Sequence, residues 1–504
     1  MFTQPSRLGR SCVRWIRASQ LDGVTNSRFG PSTFDTVTVT TDAHGNPMTG
    51  GPADIDLYDR ALDRLVRFHP DIVELAGELT AGDEGVAMAW ALNAYLCLMS
   101  TDVDDVAAAR AALASMSDAE MNAREQAHAD AINAWVHGGW NEAAARLDDL
   151  LRSWPTDLLA LMIGHQLDFF LGDAQSLRDR PIRSLREFDP DHPHAPFVRG
   201  MASFGLEEAG HYEQALDAGL AAVETNADDV WGIHAVVHTY EMQGRIDDGI
   251  RFLSSGGTQW ESGNLFTVHN WWHLALYQLE VGHPERSLEI YDAELHHAGS
   301  AGVPIEMLDA SALLWRMLLD GLDTGGRFGP LADAWAPKVA GQSWYAFNDL
   351  HAAMAFAGAG RIGDIRTLIN DRERWLDGVG GSNARMTAEI GLPASRAVLA
   401  FVEERHDDVI DELMPIRRTL NHFGGSHAQR DALQRTLLES ALRSGRYELA
   451  RALTAERLGL RESSVYGWSQ RARALRGLGD DTAATQAEQR AARYQAQFAE
   501  AITN

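Results

Sequence analysis

Gly210-His-Tyr212-Glu-Gln-Ala215 decides how this chain folds, because the same short pattern returns along its length. Full copies stand at Gly138-Gly-Trp140-Asn-Glu-Ala143, Gly244-Arg-Ile246-Asp-Asp-Gly249, Gly282-His-Pro284-Glu-Arg-Ser287 and Gly445-Arg-Tyr447-Glu-Leu-Ala450. Weaker copies begin at Gly172, Gly360 and Gly479. The starts at 138, 172, 210, 244 and 282 are spaced 34, 38, 34 and 38 residues apart. A period near 34 belongs to the two-helix tetratricopeptide repeat. Glycine ends the first helix and permits a tight turn. The aromatic or apolar residue packs into the hairpin, and the small residue lets the second helix approach the first.

The flanking residues agree. After the first copy, Leu147 and Leu150 continue the apolar face, and Pro155-Thr-Asp157 stops one repeat and caps the next. A repeat placed near Gly321 keeps a step of about 40 residues to Gly360, and further hairpins are expected near 400, 445 and 479. Strand signals are nearly absent beyond Val37-Thr-Val-Thr40. The expected fold is therefore all-α, a tetratricopeptide-like helical-hairpin solenoid. It is expected to run as one superhelix over residues 41–504, with a polar capping helix at about 480–504.

Residues 1–40 differ in character. Arg7, Arg10, Arg14, Arg17 and Arg28 occur there, with no acidic residue before Asp22 and no apolar core of a secretory signal. They read as a disordered basic leader. Across all 504 residues, 44 basic side chains face 71 acidic ones, a net charge of −27. A surface so negative repels phosphodiester backbones and anionic lipid heads, so neither nucleic acid nor a membrane is expected as a partner. Only Cys12 and Cys97 occur, which suits a reducing compartment and a cytoplasmic location.

Chemistry concentrates in two stretches. His234-Ala-Val-Val-His238 is followed one turn later by Glu241, and His269-Asn-Trp-Trp-His273 lies in the next repeat. A spacing of four stacks side chains on one helix face. With Gly244 as repeat position 15, His234, His238 and Glu241 fall at positions 5, 9 and 12, which face the concave groove in such repeats. Counted from Gly282, His269 and His273 fall at positions 2 and 6. Corresponding helices elsewhere carry His165, Asp168, Asp309, Asn348, Asp349 and His351, with Trp231, Trp272 and Tyr240 adding aromatic wall. Apolar walls with a few convergent polar groups describe a small-molecule pocket.

Three readings of these residues stay open. Three of His234, His238, Glu241, His269 and His273 would make a divalent-metal set for zinc, iron or manganese. A histidine paired with Glu241 or Asp168 would serve acid/base chemistry. Or the imidazoles bridge helices by hydrogen bonds. The functional expectation is a binding protein whose concave surface holds a small-molecule, peptide or protein partner. The alternative is a small-molecule enzyme, hydrolytic or otherwise acid/base, with or without a metal. Ser426-His-Ala-Gln429 after Gly424-Gly425 reads as a helix capping box ahead of an anion site. No nucleophile elbow, phosphate loop or dinucleotide fingerprint occurs.

Five stretches carry a family resemblance: Arg124-Glu-Gln-Ala-His128, Pro155 to His165, His234 to Met242, His269 to His273, and Gly424-Gly-Ser-His-Ala-Gln-Arg-Asp431. Together they make the chain resemble the tetratricopeptide repeat protein 38 family over roughly residues 45–475. The resemblance implies a soluble helical-repeat solenoid. It implies no reaction and no catalytic residues.

Overall fold

The computed structural model describes residues 40–81, 86–255, 260–261, 266–341 and 343–503. The leader expected over residues 1–40 lies, up to residue 39, outside the described residues. The described chain is all-α, built of tetratricopeptide-like helical hairpins. Its only pairing of β type among the described residues is an isolated bridge between Thr41 and Pro47. No described helix is long and apolar enough to cross a membrane. Contact density divides the chain into two compact units, residues 1–164 and 165–504.

The signature glycines explain the hairpins. Gly138, Gly172, Gly210, Gly244, Gly282, Gly360, Gly445 and Gly479 all adopt left-handed backbone, with φ between 66° and 90°. At Gly244 this geometry caps the helix Val230–Gln243, and the Arg245 N–H then reaches back to the Tyr240 carbonyl at 2.8 Å. The same closure recurs from His211 to Leu206, His283 to Gln278, Arg361 to Phe356 and Arg446 to Ala441. It also occurs from Arg405 to Ala400, where Glu404 takes the glycine's place at φ 59°. The small residue of the signature is buried throughout: Ala143, Ala215, Ser287 and Ala450 are each fully enclosed. At Gly249 a Cβ would lie 2.5 Å from the Tyr277 ring, so nothing larger fits between those helices.

In the first unit, Ala123–Val136 and Trp140–Ser153 form the first signature hairpin, with Trp140 edge-on to Trp135 at 5.7 Å. A buried polar network fastens it. Arg124 Nε donates to Asp157 at 2.6 Å, and its Nη2 pairs with Asp42 at 2.9 Å. His128 Nε2 lies 3.0 Å from Asp157, and its Nδ1 lies 3.1 Å from the Tyr95 hydroxyl.

In the second unit, the hairpins from Ala195–Glu208 to Ala346–Gly358 stack in chain order, and the expected concave wall is present but not open. The later helix His427–Arg443 packs against Val230–Gln243 and Pro304–Leu319 and fills that side. The His427 N–H donates to Glu208 at 2.7 Å, Trp315 Nε1 to Thr436 at 2.9 Å, and Arg316 to the Ala428 carbonyl. The final helix, Asp481–Thr503, turns Phe498 into the cluster of Ile233, Val237, Ile250 and Tyr277.

Gly424-Gly425 makes this return path possible. Both take positive φ, and a Cβ at Gly424 would meet the Tyr345 hydroxyl and the Phe170 carbonyl at 2.1 and 2.4 Å. The capping box follows: Gln429 N–H donates to Ser426 Oγ at 3.2 Å, and Ser426 N–H to Gln429 Oε1 at 3.0 Å.

Candidate metal centre

Two neighbouring helices build the centre. Val230–Gln243 begins where Asp229 accepts the Trp231 and Gly232 N–H groups, and it carries His234, His238 and Glu241. Thr267–Glu280 carries His269 and His273. Stacking the repeats brings the four imidazoles face to face, with one potential ligand nitrogen from each within 4.8 Å of all the others. Ring centres lie 4.3 Å apart for His234 and His238, 4.4 Å for His238 and His273, 4.8 Å for His269 and His273, and 4.9 Å for His234 and His269.

Carboxylates set the orientation of two rings. His273 Nδ1 lies 2.8 Å from Glu241 Oε2, and His269 Nδ1 lies 2.7 Å from Asp309 Oδ2. An ionised carboxylate only accepts, so each Nδ1 carries a proton, and in the neutral ring Nε2 then keeps a lone pair. Those two Nε2 atoms face each other at 3.2 Å. Two lone pairs at that distance repel unless a cation lies between them. Metal–nitrogen bonds of about 2.0–2.1 Å would set neighbouring tetrahedral ligands about 3.3–3.4 Å apart. The carboxylate–histidine pairing is the outer arrangement that orients metal-bound imidazoles.

A shared proton is the other cation available, and burial opposes placing it on His273. Burial pushes His234, His238 and His273 well below the usual imidazole range, and the neighbouring histidines add to the shift. The guanidinium of Arg316 pushes His273 the same way. His234 and His238 are enclosed, and neither nitrogen of either ring has a hydrogen-bond partner. Leaving buried polar groups unmade costs on the order of 1–3 kcal/mol each. Around them Phe204 lies 4.7 Å from His234, Phe266 also 4.7 Å, and Trp272 stacks on His269 at 5.1 Å. His269 keeps 16% of its side chain exposed and forms the solvent edge.

The other expected residues have separate roles. His165 lies behind the aromatic wall, 5.1 Å from Trp231 and 6.1 Å from Phe204, and burial with the charge of Arg180 lowers it to about 3. Asp168 chelates Arg180 at 2.7 and 2.9 Å. Asp349 does the same for Arg372, at 2.7 and 2.8 Å, and accepts from Ser343. His351 Nδ1 is committed to the Phe347 carbonyl at 2.8 Å, and Asn348 is buried on the same helix. Tyr240 packs on Phe252 under the Arg245 guanidinium.

Three residues that the sequence reading passed over complete the surroundings: Glu207, Glu208 and His427. Glu207 Oε2 is 3.6 Å from His238 Nδ1. Burial first, then the charge of Glu208, pushes the Glu207 carboxyl up to about 7. Glu208 holds Arg430 at 2.9 Å, and His427 and Arg430 keep its carboxyl low against the effect of burial. Gln429 reaches Asp309 Oδ1 at 3.4 Å. A signal for Glu207 was present: it precedes Gly210 by three residues, as Glu241 precedes Gly244.

No family model matches the chain. Among solved structures, it is similar to the human IFIT1 dimer with PPP-AAAA, at 12% identity and TM-score 0.34 over 90% of this chain and 96% of that one. The same dimer with m7Gppp-AAAA gives 11% identity and TM-score 0.35, with the same coverages. Naa15/Naa10 bound to HypK-THB gives 12% identity and TM-score 0.23, over 88% of this chain and 63% of that one. Similarity at this level assigns no ligand here. It does correct the expectation that nucleic acid is excluded as a partner, since IFIT1 is solved with PPP-AAAA and m7Gppp-AAAA. A whole-chain charge sum does not fix the potential of a single cleft.

Proposed function

We propose that this chain is a metal-binding helical-repeat protein in which His234, His238, His269 and His273 hold one divalent transition ion. Zinc is the first choice and iron the next, because imidazole suits both, with manganese last because it prefers oxygen ligands. The observation that carries the reading is the pair of Nε2 atoms facing each other at 3.2 Å while carboxylates occupy both Nδ1 positions. The ion is the recognition element for a small-molecule ligand, which would reach it past the exposed edge of His269 and lie against Trp272 and Phe266.

We also infer membership of the tetratricopeptide repeat protein 38 family and a cytoplasmic location. Support for the family comes from three of its motif stretches, residues 234–242, 269–273 and 424–431, which lie around one centre. Support for the compartment is the low cysteine count, Cys12 and Cys97 alone in 504 residues.

Elemental analysis of untagged full-length protein tests the metal reading. One or more equivalents of zinc, iron or manganese per folded chain are expected, and His238→Ala and His273→Ala should lose the ion from this centre. Wild type that stays free of metal after dialysis against zinc, while both variants keep wild-type melting temperatures, would sink it.

A further inference from the structure

We propose a second divalent-cation site beside the first, formed by Glu207, Glu208 and His427, with His238 at its edge. Glu207 and Glu208 end the helix Ala195–Glu208, and His427 opens the helix His427–Arg443. One ligand atom from each of the three lies within 4.8 Å of the other two.

The distances separate this group from an ordinary ion pair. His427 Nδ1 lies 3.5 Å from Glu208 Oε1 and 3.7 Å from Glu207 Oε1, and His238 Nδ1 lies 3.6 Å from Glu207 Oε2. Charge-assisted hydrogen bonds close to about 2.7–2.9 Å. The Arg430–Glu208 contact in the same cluster does so, at 2.9 Å. The other three, at 3.5–3.7 Å, are longer than a charge-assisted hydrogen bond and slightly longer than the roughly 3.0–3.4 Å between ligands about 2.1 Å from an ion, so the side chains would close by a few tenths of an ångström around one.

Satisfaction points the same way. Glu207 is fully enclosed, and its carboxylate oxygens have only long contacts to His427 and His238, at 3.7 and 3.6 Å. The buried imidazole of His238 beside it has no hydrogen bond. Glu241, at the equivalent position of the next repeat, shows the contrast by bonding His273 at 2.8 Å. Two carboxylates face the guanidinium of Arg430 and the His427 ring, which they raise above the usual imidazole range against the effect of burial, so an ion would take the place of that ring's proton. His427 keeps a third of its side chain exposed, while its Nδ1 is enclosed and faces the two carboxylates. A mixed carboxylate–imidazole set suits zinc, manganese or iron.

The test counts ions on the untagged full-length chain after dialysis against zinc and, separately, manganese. Wild type should hold two equivalents per chain. His427→Ala, which trims a partly exposed ring, and Glu207→Gln should each hold one. His269→Ala, which touches only the four-imidazole set, should also fall to one. If wild type holds one ion, and His427→Ala and Glu207→Gln hold it unchanged, the second site is wrong and the first stands. A wild type holding none overturns both. Should Glu207→Gln fail to fold, His427→Ala decides alone.

Discussion

Two groups of buried histidine in this molecule look alike in composition and differ in bookkeeping of lone pairs. In the first unit, His128 is fully enclosed, and one tautomer satisfies both nitrogens: Nε2 donates to Asp157 and Nδ1 accepts from Tyr95. Arg124 neutralises the same carboxylate. In the second unit, His234 and His238 are buried with no hydrogen bond to any of their four ring nitrogens, and His269 and His273 bring their Nε2 atoms to 3.2 Å. Burial of a histidine therefore says little about function. Unfilled hydrogen-bonding capacity, gathered at one point, says much more.

The largest expected effect lies on the satisfied side. Arg124→Met strips the charge that balances Asp42 and Asp157, and should cost about 3–5 kcal/mol in urea unfolding. Metal content per folded chain should not change. A loss under 1 kcal/mol would mean that the network is not the fastening it looks like.

The second effect has a sign that separates the two regions. Replacing an unpartnered buried imidazole with an apolar side chain should stabilise a metal-free core. We expect the reverse for His234→Leu: loss of the ion and a lower melting temperature. The deficit should approach about 4 kcal/mol where free metal stands about 1,000-fold above its Kd. A higher melting temperature would make the two regions equivalent and the centre structural.

Smaller still is the contribution of the orienting carboxylates. Glu241→Gln keeps the shape of the side chain and weakens its hold on the His273 ring, so metal affinity in a competition titration should fall about 10- to 100-fold. Affinity unchanged within twofold would remove the orienting role.

The gentlest probe is acid. Asp157 is held well below the usual carboxylate range: burial opposes this, but Arg124 and His128 outweigh it. A depressed folded-state value means that its stabilisation is complete above the unfolded value of about 4 and is lost as pH falls below it. Stability should drop between pH 4 and 2.5 by no more than about 1.4 kcal/mol per pH unit from this one group. In Asp157→Asn that share of the slope should vanish, and an unchanged slope would exonerate the residue.

Sequence periodicity made the hairpins legible because each turn is a local matter of six residues and one left-handed glycine. The hairpin expected near 400 turns at Glu404, where the same backbone occurs without glycine. The histidine register was legible for the same reason, since helices of adjacent repeats must stack. The open groove was the failure. A repeat signature reports contacts between neighbours, whereas Glu208 meets His427 across 219 positions of sequence. Nothing in the spacing of either motif announces that meeting. Glu207 is legible by its offset from Gly210. The Ser426–Gln429 box caps its helix as the sequence implies, and nothing in that motif marks His427 as a ligand.

The return of His427–Arg443 into the middle of the second unit changes how that unit should come apart. Arrays whose repeats touch only their neighbours unravel piecemeal, fraying from either terminus. Here the hairpins near residue 208 and those past residue 427 are stitched to each other, so neither end is free to fray alone. Melting of residues 165–504 should be a single concerted event, and deleting the last hairpins should dismantle the histidine cluster far upstream.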